Sequence, residues 1–318
     1  MATVESVTGP IEADDLGTTL IHEHFRTRDD ANAHQFPHLY DDEALLAVGL
    51  EAAKGALDRG VKTVVEPTAM FLDRDIRFLE RIGKDTGLQI VPCTGIYTYD
   101  FLPIFWHTRD ADMMADAFVH DIEQGIQGTD IKAAFLKCAA DEPGVNENIE
   151  KIHRACARAS LRTGLPIMAH SRPASNTGPR QVEIFLEEGV APEKIQIAHT
   201  GDTDDLGYIE GLLEKGVWIG LDRFGIEMYL PMENRLTTAA ALLERGYEKQ
   251  MFISADSCAS IDWFPEEVIE QMMQAGAVKD WTITLVHDQV IPALRERGMT
   301  DDQLNTMLVE NPKRWLAG

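Results

Sequence analysis

Eight short apolar, β-branched runs recur along the chain, most followed by a longer amphipathic stretch, and this alternation limits the fold more than any other feature. The runs are TTLIHEHF, VKTVVEPT, LQIVPCTGIY, IKAAFLKC, LPIMAHS, IQIAHT, VWIGLD and QMFISAD. Between them lie segments such as DEALLAVGLEAAKGALDRG, NENIEKIHRACARASLRTG and TDDLGYIEGLLEKG, each ending in the glycine that commonly follows a helix. Strands separated by helices pair in parallel, because a parallel neighbour is reached only through a crossover. No repeat motif and no Pro- or Ser-rich linker divides the chain, so residues 1–318 are expected to form one α/β domain, a (β/α)8 TIM barrel. An open doubly wound sheet is the alternative, but no GxGxxG follows the first strand.

Charge narrows the partners. With 29 basic and 53 acidic side chains the formal charge is −24, which argues against nucleic acid and against anionic membrane surfaces. No apolar run approaches a membrane span, and the opening MATVESVTGPIEADDLG has neither a basic nor an apolar leader segment. Four cysteines without CxxC spacing read as reduced thiols, so a cytoplasmic protein is expected. A chain of this length buries enough surface to fold without disulfides or metals.

Nearly every run ends on a residue capable of chemistry: His22 and His24, Glu66, Tyr97, Lys137, His170, His199, Asp222 with Arg223, and Asp256. In a barrel these strand ends converge on one mouth. His22 and His24 form a His-x-His pair, and period-two alternation points both rings to one face. Imidazole and carboxylate suit divalent first-row ions, zinc in particular. His22, His24, His170, His199 and Asp256 exceed one tetrahedral shell, which points to two ions. The remaining histidines, His34, His38, His107, His120, His153 and His287, fall in helix-like or loop segments and read as solvated or hydrogen-bonded.

Lys137 admits three readings: a head that reaches solvent, a Schiff-base lysine, or a neutral amine that captures CO2 and bridges two metals as a carbamate. Glu66 either faces the mouth or buffers a buried network, and Asp202 either supports the site or caps the helix beginning in GDTDD. After the last strand, Trp263, Phe264, Val268, Met272 and Met273 either line an apolar substrate channel or simply pack.

IHEHF, VVEPTA, the Lys137 strand with AADEPG, AHSRP, IAHTGDTDD, LDRFG, SAD and NPKR together resemble the phosphotriesterase family of the amidohydrolase superfamily, from residue 6 to the last helix. Tyr97 with Tyr99, Arg223, Cys258 and the IDW around Trp263 are more similar to its branch of phosphotriesterase-like lactonases. The resemblance implies that His22, His24 and Asp256 hold one metal and His170 and His199 the second, with an N-carboxylated Lys137 and a hydroxide between them. Zinc is the expected metal, with iron, cobalt and manganese as alternatives. Tyr97, Arg223 and Asp256 are the implied catalytic group, and Tyr99, Cys258 and Trp263 the implied channel. Ala255 departs from the family pattern, where His or Asn is common, beside the ligands and not among them. Relatives are commonly homodimers, so a homodimer is expected.

Activated water at such a centre attacks a carbonyl or a phosphoryl group, and Asp256 passes its proton to the leaving alkoxide. The expected activity is hydrolysis of N-acyl homoserine lactones and related γ- and δ-lactones, with weaker hydrolysis of organophosphate triesters. A dedicated phosphotriesterase or a carboxylesterase is the alternative. Cyclic-amide hydrolysis would call for an Arg cluster near the strand ends, which is not found. A non-catalytic metal-binding barrel would lack a ligand, and none is missing.

Overall fold

In the computed structural model, which describes residues 2–318, each of the eight apolar runs contributes a strand to one parallel sheet. An antiparallel ribbon of β1 (Thr3–Val4) and β2 (Ile11–Glu12) precedes it. The sheet then runs in chain order through β3 (Thr19–Leu20), β4 (Thr63–Glu66), β5 (Gln89–Gly95), β6 (Phe135–Ala139), β7 (Ile167–His170), β8 (Ile195–Ala198), β9 (Trp218–Leu221) and β10 (Met251–Ile253). All neighbouring pairs are parallel, with helices in the crossovers, and the architecture is the expected (β/α)8 barrel.

Period-two alternation separates two apolar layers. Val65, Val91, Cys93, Phe135, Met168, Ala198, Trp218 and Phe252 pack with one another inside the strands. Their sequence neighbours Val64, Ile90, Leu136, Ile167, Ile197, Ile219 and Ile253 pack outward against the helices. The rule carries the site residues with it. Phe135 faces inward, so Lys137 does too; Met168 places His170, and Trp218 places Asp222. Trp315, from the helix Asn311–Ala317, is fully buried against Phe135 and Phe252 and fills the end opposite the mouth.

Caps set where the helices begin and end. Asp41 accepts from the Ala44 N–H at the start of Asp42–Leu57, and Asn146 does the same from Ile149 for Glu147–Thr163. Gly164 ends the latter in the left-handed conformation, as the sequence pattern predicts.

The barrel closes through backbone bonds beyond its first and last strands. β3 and β10 are short, and they are joined by bonds beyond their ends: Asp256 N–H to His22 O (3.0 Å), His24 N–H to Ser257 O (2.7 Å) and Thr27 N–H to Ser260 O (2.9 Å). The segment Thr306–Glu310 packs over both strands from outside. All four cysteines are free, and no helix among the described residues is long and apolar enough to cross a membrane.

Gly95 ends β5 with φ 139°, and a Cβ there would collide with the Lys137 backbone carbonyl. Gly95→Ala is therefore expected to lose about 3 kcal/mol of unfolding free energy, from strain and overpacking together. Denaturant titration checks this, and a loss under about 1 kcal/mol would contradict the packing described.

Candidate metal centre

Four imidazoles, Lys137 and Asp256 meet at the mouth. The Nε2 atoms of His22 and His24 each lie 3.2 Å from Asp256 Oδ1, and His199 Nε2 lies 3.8 Å from Asp256 Oδ2. Lys137 Nζ is 3.2 Å from His22 Nε2, and the His170 and His199 rings are 4.5 Å apart between centroids. Ligand atoms of His22, His199 and Asp256 all fall within 4.8 Å of one another, the spacing of groups able to share an ion.

The other ring nitrogens are committed elsewhere, which is what a ligating histidine requires. Asp222 holds two rings at once, with Oδ2 at 3.0 Å from His22 Nδ1 and Oδ1 at 2.9 Å from His199 Nδ1. His24 Nδ1 lies 2.7 Å from Thr68 Oγ1, whose hydroxyl donates to Glu66. His170 Nε2 is 2.8 Å from Asp141 Oδ2, leaving Nδ1 on the side of Tyr97. Three rings thus offer Nε2 and one offers Nδ1. His199 follows the outward-facing Ile197 and would point away from the centre by alternation. Its backbone is left-handed (φ 63°), and this brings the ring to Asp222 and Asp256; Asp256 is also left-handed (φ 50°).

Burial decides the protonation states. It pushes His22 and His170 down to about 4 and His199 well below its ordinary value, so all three are neutral acceptors for a cation at neutral pH. It lowers Lys137 to about 8, and the hydrogen-bonding neighbours of Nζ among the described residues are His22 and Met168 Sδ. Burial opposes the charge on Asp222, but His199 and His22 outweigh it and keep the carboxyl well below the usual range. The donor set, neutral imidazoles around a carboxylate with a partly deprotonated amine, fits divalent ions.

The remaining site residues fall around this core. Arg223 donates from Nε to Asp256 Oδ2 (2.9 Å) and from Nη1 to Asp202 Oδ2 (3.0 Å), so it orients Asp256 and makes no bond to Tyr97. Asp202 anchors Arg223 and Arg235, while the helix Leu206–Leu213 is capped by Asp205. Tyr97 lies two residues beyond β5, with its hydroxyl 3.1 Å from His170 Nδ1 and 2.5 Å from the Tyr99 hydroxyl. A cavity of about 580 Å³ opens here, lined by Tyr97, Tyr99, Trp263, Phe71, Tyr40 and Asp262 among others. Cys258 is not in its lining; its thiol lies 3.6 Å from Thr27 Oγ1. Phe264, Val268, Met272 and Met273 are not in the lining either, and the helix Glu266–Gln274 buries none of its residues. Glu66 belongs to the buried network: it alternates away from the inward Val65 and accepts from Thr68 and the Phe25 N–H. Ala255 is a backbone partner, donating to Glu23 and accepting from Trp281 Nε1. His153 is fully buried and hydrogen-bonded to Ile149 O and Gln181.

Two contributors, and the role of a third, escaped sequence reasoning. Asp222 was visible at a strand end, but nothing local shows that it reaches two histidines. Asp141 sits inside AADEPG, and its contact with His170 crosses between strands. Glu23 reads as a spacer between two histidines, yet its buried carboxylate accepts four hydrogen bonds from 254–257. Burial pushes that carboxyl up to about 8, and its Ser257, Ser254 and Ala255 donors pull the other way.

This fold and donor arrangement are those of a metal-binding barrel hydrolase. The phosphotriesterase family model matches residues 2–316. The aryldialkylphosphatase of Saccharolobus solfataricus is 44% identical, the alignment covering 96% of this chain and 97% of that protein. The phosphotriesterase homology protein of Mycobacterium tuberculosis is 40% identical over 99% and 97% of the two chains. The solved phosphotriesterase structure from Mycobacterium tuberculosis superposes with TM-score 0.94 at 39% identity, covering 99% of this chain and 98% of that one. The chain belongs to the phosphotriesterase family.

Two outcomes are expected. Asp222→Asn, which can orient only one of the two rings it serves, should weaken metal binding about 10- to 100-fold in a calorimetric titration. The second concerns pH. Unfolded imidazoles take a proton near 6.5, whereas folded His22 and His170 resist it to about 4. In that window these two rings bind more protons in the unfolded chain and so favour unfolding as pH drops. Asp222 and Asp256 add to this below about pH 4, and the raised Glu23 carboxyl acts in the opposite sense between about 4.5 and 8. In metal-free protein the His22 and His170 rings should therefore titrate near pH 4 and not near 6.5 in an NMR pH series; titration near 6.5 would contradict the assignment of neutral buried rings.

Proposed function

We propose that the chain hydrolyses lactones, N-acyl homoserine lactones and related γ- and δ-lactones, with weaker hydrolysis of organophosphate triesters. The observation that carries this reading is the aromatic cavity beside the imidazole cluster, with the Tyr97 hydroxyl 3.1 Å from His170 Nδ1. His22, His24 and Asp256 would hold one divalent ion and His170 and His199 a second. Lys137, a fully buried amine lowered to about 8, would react as the free base with CO2, releasing a proton and leaving an N-carboxylate directed to both. Two such ions, with zinc first among candidates, would activate water and polarise the attacked oxygen.

The protein's own groups do the rest. Asp256 accepts the proton of the attacking water and returns it to the leaving alkoxide, which opens the ring to a hydroxy acid. Arg223 keeps Oδ2 of that carboxylate in place, and Asp202 keeps Arg223 in place. The Tyr97 phenol is raised well above its ordinary value, by burial first, so it remains a hydrogen-bond donor for the substrate carbonyl. Trp263, 42% exposed and 6.1 Å from Tyr97 between ring centroids, offers a face for an acyl chain. The cavity lining includes Asp29 and Asp262 and no Lys or Arg, which suits a neutral substrate.

The same centre is chemically competent toward a phosphoryl group, and the Saccharolobus relative is named for that activity. Pocket shape separates the two: a flat lactone with one tail suits an aromatic slot better than a phosphorus bearing three arms. Metal-loaded protein should therefore show kcat/KM for an acyl homoserine lactone at least about tenfold above that for an aryl dialkyl phosphate, roughly 1.4 kcal/mol in the transition state. Trp263→Ala should flatten the dependence on acyl length. Equal or reversed efficiencies would transfer the assignment to a dedicated phosphotriesterase.

A further inference from the structure

Glu23 lies between His22 and His24 and faces away from both. Its side chain is fully buried and reaches the end of β10. Oε1 accepts from Ser254 Oγ (2.7 Å) and the Ala255 N–H (2.8 Å); Oε2 accepts from the Ser257 N–H (2.8 Å) and Ser257 Oγ (2.5 Å). Ser254 Oγ also accepts from the His22 N–H (3.1 Å). The two backbone donors flank Asp256, whose left-handed conformation (φ 50°) is one that a non-glycine residue keeps only when its surroundings hold it there. One carboxylate thus ties together the two segments that carry His22, His24 and Asp256. His170 and His199 stand on β7 and after β8, outside the Glu23 contacts; Asp141 holds the first, and Asp222, which also holds His22, the second.

We propose that Glu23 is a positioning residue for one ion site, setting the affinity of the His22, His24 and Asp256 group largely independently of the His170 and His199 group. This rests on the two-ion reading above. Glu23→Gln keeps the shape but turns one acceptor oxygen into an NH2 group. The serines can rotate to meet it; a backbone N–H cannot, so a bond beside Asp256 is lost.

The two sites are separable with Co2+ as the probe, by calorimetry on purified protein. A His170→Ala protein reports on the first site and a His24→Ala protein on the second. Adding Glu23→Gln should weaken Co2+ at least about tenfold in the first background and less than about threefold in the second. Metal-free melting temperatures, recorded alongside, register any general loss of structure. Equal weakening in both backgrounds, or none in either, overturns the proposal. Should Glu23→Gln fail to fold, Ser257→Ala removes one of the four bonds and should weaken the first site selectively, with equal or absent weakening again overturning it. Wild-type protein that binds a single ion instead overturns the two-ion reading. Glu23 then stands or falls on whether that ion weakens in Glu23→Gln.

Discussion

A parallel barrel loses its edges only when its first and last strands are joined. Here that junction consists of buried polar bonds at the mouth. β3 has two residues and β10 three, and the joining bonds run between 22–27 and 254–262. The Glu23 carboxyl sits in this seam with each oxygen bonded twice, so neither is left without a partner away from water. Closure and the placement of His22, His24 and Asp256 are therefore one set of interactions. A change that loosens the seam also spreads the groups that would hold an ion.

A layer of carboxylates supports the imidazoles. A buried ring that serves a cation must be neutral and fixed in orientation; burial supplies the first and a partner on the opposite nitrogen the second. Asp222 does this for two rings from one position, and Gly220 makes room for it, since a Cβ at that residue would collide with the Asp222 carboxylate. Asp202 and Arg223 extend the same arrangement to Asp256. In such a network the members depend on one another, and removing one leaves its partners buried without compensation.

Much of this architecture was legible in the sequence. Each apolar run became a strand, and residues two apart shared a face, which is why Lys137, His170 and Asp222 turn inward with Phe135, Met168 and Trp218. The legible part ended where periodicity ended. His199 points inward only because its backbone turns left-handed, against its strand's alternation. The apolar residues after Trp263 suggested a channel wall, but the helix that carries most of them packs at the surface and leaves only Trp263 in the lining. Apolar spacing shows that a helix has a face, not what that face meets.

The sequence by itself determined the order of elements, the residues that turn inward and the kinds of donor at the mouth. These follow from φ/ψ preference, a two-residue repeat and side-chain chemistry, all of which act over a few residues. Only the tertiary structure decided which ring nitrogen is free, which carboxylate holds it, how the seam closes and where the cavity ends. Glu23 and Ser257, or His22 and Asp222, are 200 or more positions apart. Their meeting depends on the twist and closure of the whole barrel, and no local pattern records a distance of that kind.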